Sequence, residues 1–254
     1  MTEIDIAGYN PYEDTDGCYY DAEAADRAVG FFRDCLTHVK GELAGKPFEL
    51  DTWQENIVAT LFGWKLENGY RRFRTSYIEI PRKNGKSTLC AGLALYMLIS
   101  DGEAGAEVYS AAAEREQASI VFDIAAQMVQ AEPILREHTT TFRKSIAVER
   151  TASSYKVLSA DAYTKHGLNA SAIIFDELHA QPNRDLWDVL STSTGARTSP
   201  LTIAITTAGY DRNSICYQLH DYAIKVRDGI IKDQTFLPVI YAADEKDDFK
   251  LPAT

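Results

Sequence analysis

Three adjacent residues, Gly85, Lys86 and Ser87, have the types a bound polyphosphate needs: a glycine that lets the backbone come close, a fixed cation and a hydroxyl able to ligate magnesium. Cleaving a phosphoanhydride depends chiefly on positioning and charge neutralisation, and the amides at a helix start point at an anion. Lys86 would bridge the outer phosphates of ATP and Ser87 would hold Mg2+, with Pro81, Arg82, Lys83, Asn84 and Thr88 completing the loop. The pattern departs from G-x-x-x-x-G-K-[ST] at its first glycine, where Ile80 stands before Pro81. The loop is also strongly basic. Gly-Lys-Ser alone arises by chance and could be a solvated helix cap. Its context argues otherwise, because Tyr77, Ile78 and Ile80 suit a strand ahead of it, and Leu89, Ala91, Leu93, Tyr96 and Met97 suit a buried helix behind it.

Much further along, Ala172-Ile173-Ile174-Phe175 runs straight into Asp176-Glu177. A continuous apolar run suits a central strand of a parallel sheet covered on both faces, and such sheets bind ligands beyond the carboxyl ends of their strands. Asp176 would hold the magnesium through water, since that ion keeps most of its hydration shell. Glu177, pointing to the other side, could polarise the attacking water. Alone, an Asp-Glu pair at a strand end is commonplace; the upstream phosphate loop gives it weight.

Two further stretches fit the same site. The apolar run Leu201-Thr-Ile-Ala-Ile205 ends in Thr206 and Thr207, whose hydroxyls could sense the terminal phosphate, although β-branched threonines also simply favour strands. Trp53 and Gln54 offer a stacking surface and an amide able to pair with an adenine edge. Either could instead be ordinary core or helix surface.

The elements that must position these groups alternate. Helical spacing covers Asp21 to Val39 and Leu50 to Leu66; a strand lies near Ser76 to Ile80, a helix at Lys86 to Ile99, a strand near Val108 and a helix at Glu114 to Gln130, whose inward positions read as Ile120, Ile124 and Met128. Short strands occupy Phe142 to Leu158. A helix starts at Asn183, a strand at Leu201, a helix at Ser214 and a last strand at Phe236. Alternation of this kind predicts an α/β fold, a mainly parallel central sheet flanked by helices with a helical N-terminal lead-in; the phosphate loop and the acidic strand together make it resemble a P-loop NTPase of the ASCE type. Residues 1–20 are acidic and turn-rich, hence expected to be flexible; 21–243 form the ATPase domain.

The residues also resemble those of the large terminase subunit of tailed bacteriophages, in the HK97-like group. The resemblance rests on Arg82-Lys-Asn-Gly-Lys-Ser87, Ser110 to Phe122 with its Glu-Arg-Glu-Gln-Ala core, Lys165-His-Gly-Leu168, Ile205-Thr-Thr207 and Tyr241-Ala-Ala-Asp244. It implies a motor that burns ATP with Mg2+ to move double-stranded DNA into a procapsid, in the cytoplasm of the bacterial host. The implied partners are a portal ring, a small terminase subunit and further copies of the chain in a ring; alone, the chain is expected to be a monomer. The resemblance also implies that Arg82 acts as a finger on the phosphates of its own subunit, and that Thr206 and Thr207 couple hydrolysis to movement. Lys165, Arg143 and Arg150 are alternative donors to a neighbouring subunit's site, and the sequence does not choose among them. A nuclease domain follows the ATPase in such proteins. Here residues 244–254 read as the start of a linker to it, so no DNA cleavage is expected from this chain.

Composition sets outer bounds. With 254 residues, 45% of them hydrophobic, the chain can bury a substantial core. No apolar run of membrane-spanning length appears and the N-terminus is not signal-like. Cys18, Cys35, Cys90 and Cys216 share no metal or disulfide spacing. Of the net charge of −11, −9 sits between Met1 and Glu55, with thirteen acidic and four basic residues. The remainder is near neutral, leaving Arg71, Arg72 and Arg74, or Arg143 with Lys144, as basic patches or plain solvated faces.

Asp176-Glu-Leu-His179 also spells a DExH box, so a helicase or translocase ATPase is the main alternative; it would need a second recombinase-like domain for which there is no room. A nucleotide-gated assembly scaffold would not need Glu177, nor would a small-molecule kinase need it beside Asp176.

Overall fold

A computed structural model describes residues 4–113, 115–159, 167–209 and 211–241. Two short strands, β1 (Cys18–Tyr20) and β2 (Trp64–Leu66), pair antiparallel on their own. The apolar runs become β3 (Thr75–Glu79), β4 (Glu107–Ala112), β5 (Thr140–Phe142), β6 (Ser145–Val148), β7 (Ser153–Ser159), β8 (Ala172–Asp176), β9 (Leu201–Thr206) and β10 (Phe236–Ile240). These eight form one sheet in the order β10-β3-β9-β8-β4-β7-β6-β5. From β10 to β7 every pairing is parallel, and β7-β6-β5 is an antiparallel meander at one edge. β3, β8 and β9 are buried almost throughout, as continuous apolar strands between two helical layers should be.

One feature of the order decides the rest. β9 lies between β3, which feeds the phosphate loop, and β8, which ends in the carboxylates. Glu79 pairs with Thr206, and Asp176 with Ile205, so all three strands end at the same sheet edge. Strand order and register therefore gather the loop, the acidic pair and the threonines.

The helices are α1 (Ala22–Cys35), α2 (Thr52–Gly63), α3 (Lys86–Ile99), α4 (Arg115–Ala131), α5 (Pro133–His138), α6 (Asp185–Thr192) and α7 (Ile215–Arg227). Asp21 caps α1, its side chain accepting from the Ala24 amide at 3.0 Å; Ser214 caps α7 through the Tyr217 amide. α3 is buried from Leu89 to Leu98 on all its faces, sandwiched between the sheet and α1. Gly92 permits that sandwich: a Cβ there would fall 2.3 Å from Phe32 Cε1 of α1.

Three expectations meet a different structure. The leader, expected to be flexible, is packed: Ile4 and Ile6 are buried in the main core, and the carbonyls of Pro11, Glu13 and Asp14 accept from Arg72. For the same reason the arginine cluster 71–74 is not a basic patch. Arg72 is fully buried, lying over the rings of Trp64 and Phe73, and buried Arg71 donates to Asp101 at 2.6 Å, leaving only Arg74 exposed. Ile120, read as a core position of its helix, is exposed, and Val121 takes the inward place beside Ile124 and Met128. Residues 242–254, including the acidic run from Asp244, lie outside the described residues, as do Glu114, Lys165 and His166. Among the described residues no helix is long and apolar enough to cross a membrane.

Candidate active site

The loop between β3 and α3 is exposed from Pro81 to Gly85 and becomes buried at Lys86. Gly85 opens α3 with φ 69°, a left-handed turn that costs glycine nothing and aims the first helical amides into the loop. The loop closes on the Pro81 carbonyl, which accepts from Asn84 Nδ2 at 3.1 Å and Lys86 Nζ at 3.4 Å. What the chain uses at position 81 is thus a carbonyl, which proline keeps, and not the N–H that proline lacks.

Across the sheet edge, the Ser87 hydroxyl donates to Asp176 Oδ2 at 3.1 Å. The other carboxylate oxygen, Oδ1, is buried with no hydrogen-bond partner. Burial, then the neighbouring Glu177 carboxylate, push Asp176 up to about 6, against the pull of the Ser87 hydroxyl, the Glu177 amide and Lys86. A divalent cation between Ser87 and Asp176 would give the orphaned oxygen a partner, directly or through water, and restore the charged form. The residues therefore fit Mg2+. Among the described residues no three His, Cys, Asp or Glu side chains converge into a metal cage, and Mg2+ at a nucleotide needs none, because water and phosphate supply most of its ligands.

Glu177 follows Asp176 with φ 52° and ψ 52°, a left-handed conformation that costs a non-glycine residue on the order of 1–3 kcal/mol. This bend takes its carboxyl off the line of β8 and into a cavity of about 440 Å³ that Arg82, Lys86, Ser87 and Thr88 also line. Two cations, the Ser87 hydroxyl and the Glu177 carboxylate thus face one volume, residue types that could polarise water against a terminal phosphate.

The base-side residues are near but differently engaged. Gln54 is buried, and its Nε2 comes within 3.6 Å of where a Cβ on Gly85 would sit. Its Oε1 already accepts from the Asp51 amide at 3.0 Å as part of the α2 capping box, so a bidentate adenine contact would have to share that oxygen. Trp53 packs edge-on against Tyr241 with ring centroids 5.8 Å apart. Thr206 and Thr207 are buried at the end of β9 and do not line the cavity. The Thr206 hydroxyl donates to the Thr207 carbonyl at 2.8 Å and faces His179. Of the alternative donors, exposed Arg143 sits in the β5–β6 turn, at the end of the meander where Ser145 pairs with Lys156, towards the carboxyl end of β7; Arg150 precedes β7, at the opposite edge. Lys165 is outside the described residues.

Two cavity residues, Gln117 and His179, carry no role in the motif reading. Gln117 belongs to the first turn of α4, the helix that follows β4, and that connection was the available signal: helix starts after parallel strands face the ligand edge. His179 looks from sequence like the tail of a DExH box.

A loop ending in Gly-Lys-Ser at the start of a buried helix, with an acidic strand one strand removed from it, defines an ASCE-type P-loop ATPase fold. A family model described as the terminase large subunit, ATPase domain, matches residues 52–225. The chain belongs to that family. It is 31% identical over 208 residues to the large terminase subunit of Enterobacteria phage HK97, covering 80% of this chain and 40% of that protein. The crystal structure of the HK97 large terminase superposes with a TM-score of 0.76 at 27% identity, covering 89% of this chain and 46% of that one. Protein YmfN of Escherichia coli K12 is 34% identical over 86 residues, 34% of this chain and 19% of that protein. The large terminase of a thermophilic bacteriophage, solved in complex with ADP, shows a weaker likeness: TM-score 0.46, 10% identity, 65% of this chain and 39% of that one. The chain spans less than half the length of its HK97 relative.

Proposed function

We propose that the chain is the ATP-hydrolysing motor of a viral DNA-packaging terminase. The observation that carries this reading is the 3.1 Å contact of Ser87 with Asp176, made across the strand order β3-β9-β8 beside Lys86 and Glu177. Lys86 and the first amides of α3 hold the outer phosphates, while Trp53 and Gln54 flank the base. Ser87 and, through water, Asp176 would hold magnesium, which when bound would neutralise phosphate charge. Glu177 orients the attacking water and takes its proton. Arg82, lining the same cavity, folds over the phosphates and stabilises charge in the transition state.

Family membership supports the rest of the reading. The motor acts in the cytoplasm of the bacterial host, as a ring of copies on a portal, with a small terminase subunit, and drives double-stranded DNA into a procapsid. Thr206 and Thr207 carry the loss of the terminal phosphate to the rest of the subunit. Residues 21–243 are the catalytic unit and 244–254 are read as the start of a linker. Isolated, the chain is a monomer with slow turnover, because a ring site takes part of its charge from a neighbour.

Two variants test the assignment. Lys86→Ala abolishes nucleotide binding or turnover by removing the phosphate's charge partner. Glu177→Gln binds Mg-ATP with near-normal affinity but does not hydrolyse it, since shape is retained and the base is lost. Wild-type turnover in Glu177→Gln would move the chemistry elsewhere.

A further inference from the structure

His179 stands between two groups that the proposed reaction uses separately. Its Nδ1 is 3.0 Å from Thr206 Oγ1 and 3.1 Å from Glu177 Oε2, and its backbone amide also donates to Thr206 Oγ1 at 3.2 Å. The Thr206 hydroxyl has one proton, and that proton goes to the Thr207 carbonyl at 2.8 Å. Towards Nδ1 the hydroxyl oxygen can therefore only accept. A carboxylate likewise only accepts. Nδ1 must carry the imidazole's proton, and it has two claimants for it. Glu177 Oε2 is buried without an aligned hydrogen-bond donor among the described residues, so this N–H is the one in reach of its unserved oxygen.

We propose that His179 is a positioning residue whose single Nδ1–H is shared between Glu177 and Thr206, tying the setting of the catalytic carboxylate to the end of β9. The inference rests on the assignment of Glu177 as the base. With the N–H on Thr206, the end of β9 is held to the 179 segment by two hydrogen bonds and Glu177 is loosely held. With the N–H turned to Glu177, the carboxylate is fixed for the water and Thr206 loses one of its two ties to residue 179. The residue is a small rotor where the Glu177 carboxylate and the end of β9 meet.

The experiment pairs kinetics with a measurement that needs no turnover. Asparagine puts its Nδ2–H2 near the position of the imidazole Nδ1–H, glutamine puts its donor near Nε2, and alanine has none. With Mg-ATP as substrate, His179→Ala should lose about tenfold to a hundredfold in kcat with KM changed less than about twofold, the size expected for one hydrogen bond to a charged group. His179→Asn should return to within about threefold of the wild-type rate, and His179→Gln should resemble alanine. In 15N-labelled wild-type protein, the signal that disappears in His179→Asn should have the shifts of the Nδ1–H tautomer, the rarer form in free histidine. An Nε2–H tautomer overturns the proposal, as does equal loss of kcat and nucleotide affinity together with a lowered unfolding midpoint in His179→Ala. Wild-type turnover in His179→Ala while Glu177→Gln is dead overturns the proposal and leaves the active-site assignment standing. Wild-type turnover in Glu177→Gln overturns both.

Discussion

Asp176→Asn should make the metal-free protein more stable at neutral pH, although it removes a residue assigned to magnesium. Burial, then the charge on Glu177, raise the Asp176 carboxyl from the ordinary 3.8 to about 6. The folded state thus holds this proton more tightly than the unfolded chain does. By linkage, stability is lost as pH rises from the unfolded value through the folded one, here between pH 4 and pH 6, and the full penalty remains at pH 7.5. Two units at about 1.4 kcal/mol each give a ceiling of roughly 3 kcal/mol, and relaxation of the site lowers the expected gain to about 1–3 kcal/mol. Asparagine has no such penalty, and its carbonyl can still accept from Ser87. Urea unfolding of both proteins in EDTA, at pH 4 and at pH 7.5, measures the effect. The variant should exceed wild type at pH 7.5 and match it at pH 4, whereas Mg-ATP should stabilise wild type far more than the variant. A variant less stable than wild type by the same amount at both pH values would refute the claim that Asp176 is a penalised, unpaired charge.

Arg82→Ala should lower kcat on the order of a thousandfold while changing ATP affinity little, as expected for an arginine that acts on transition-state charge; equal losses in both, from single-turnover and equilibrium binding measurements, would make it a binding residue only. Gly92→Ala should cost about 1–3 kcal/mol in urea unfolding, because the new methyl would lie 2.3 Å from Phe32 Cε1. Adding Phe32→Leu to it should destabilise less than the sum of the two single changes, and strict additivity would mean that the two side chains do not meet as described.

Much of this fold was written in local pattern. Continuous apolar runs marked β3, β8 and β9, and helical spacing marked α1 and α3, because each element buries a whole face or all of itself. The loop and the acidic pair were legible for a different reason, as chemistry confined to a few adjacent residues. What escaped depended on partners remote in sequence. Arg72 looks like surface charge until Pro11 and Gln234 bring their carbonyls to it at 2.6 and 3.1 Å. Ile4 and Ile6 are isolated apolar residues in an acidic stretch, with no period to betray burial. The Glu177–His179–Thr206 cluster depends on the register between β8 and β9, which no motif encodes. Gln117 needed the topology of β4 and α4 before its place in the cavity had meaning.

The seat of Phe32 against Gly92 bears on where a working fragment can be cut. The stretch that matches the family begins at residue 52, but α1, which ends at Cys35, supplies the outer wall of the helix that carries the phosphate loop. Phe31 adds an edge contact to Tyr96 of that helix at 5.5 Å. Trimming to the matched region would keep every residue assigned to chemistry and open an apolar trench along α3. Such a fragment would seek a lining from its neighbours in solution and clump, so matched region and self-sufficient body have different edges in this chain.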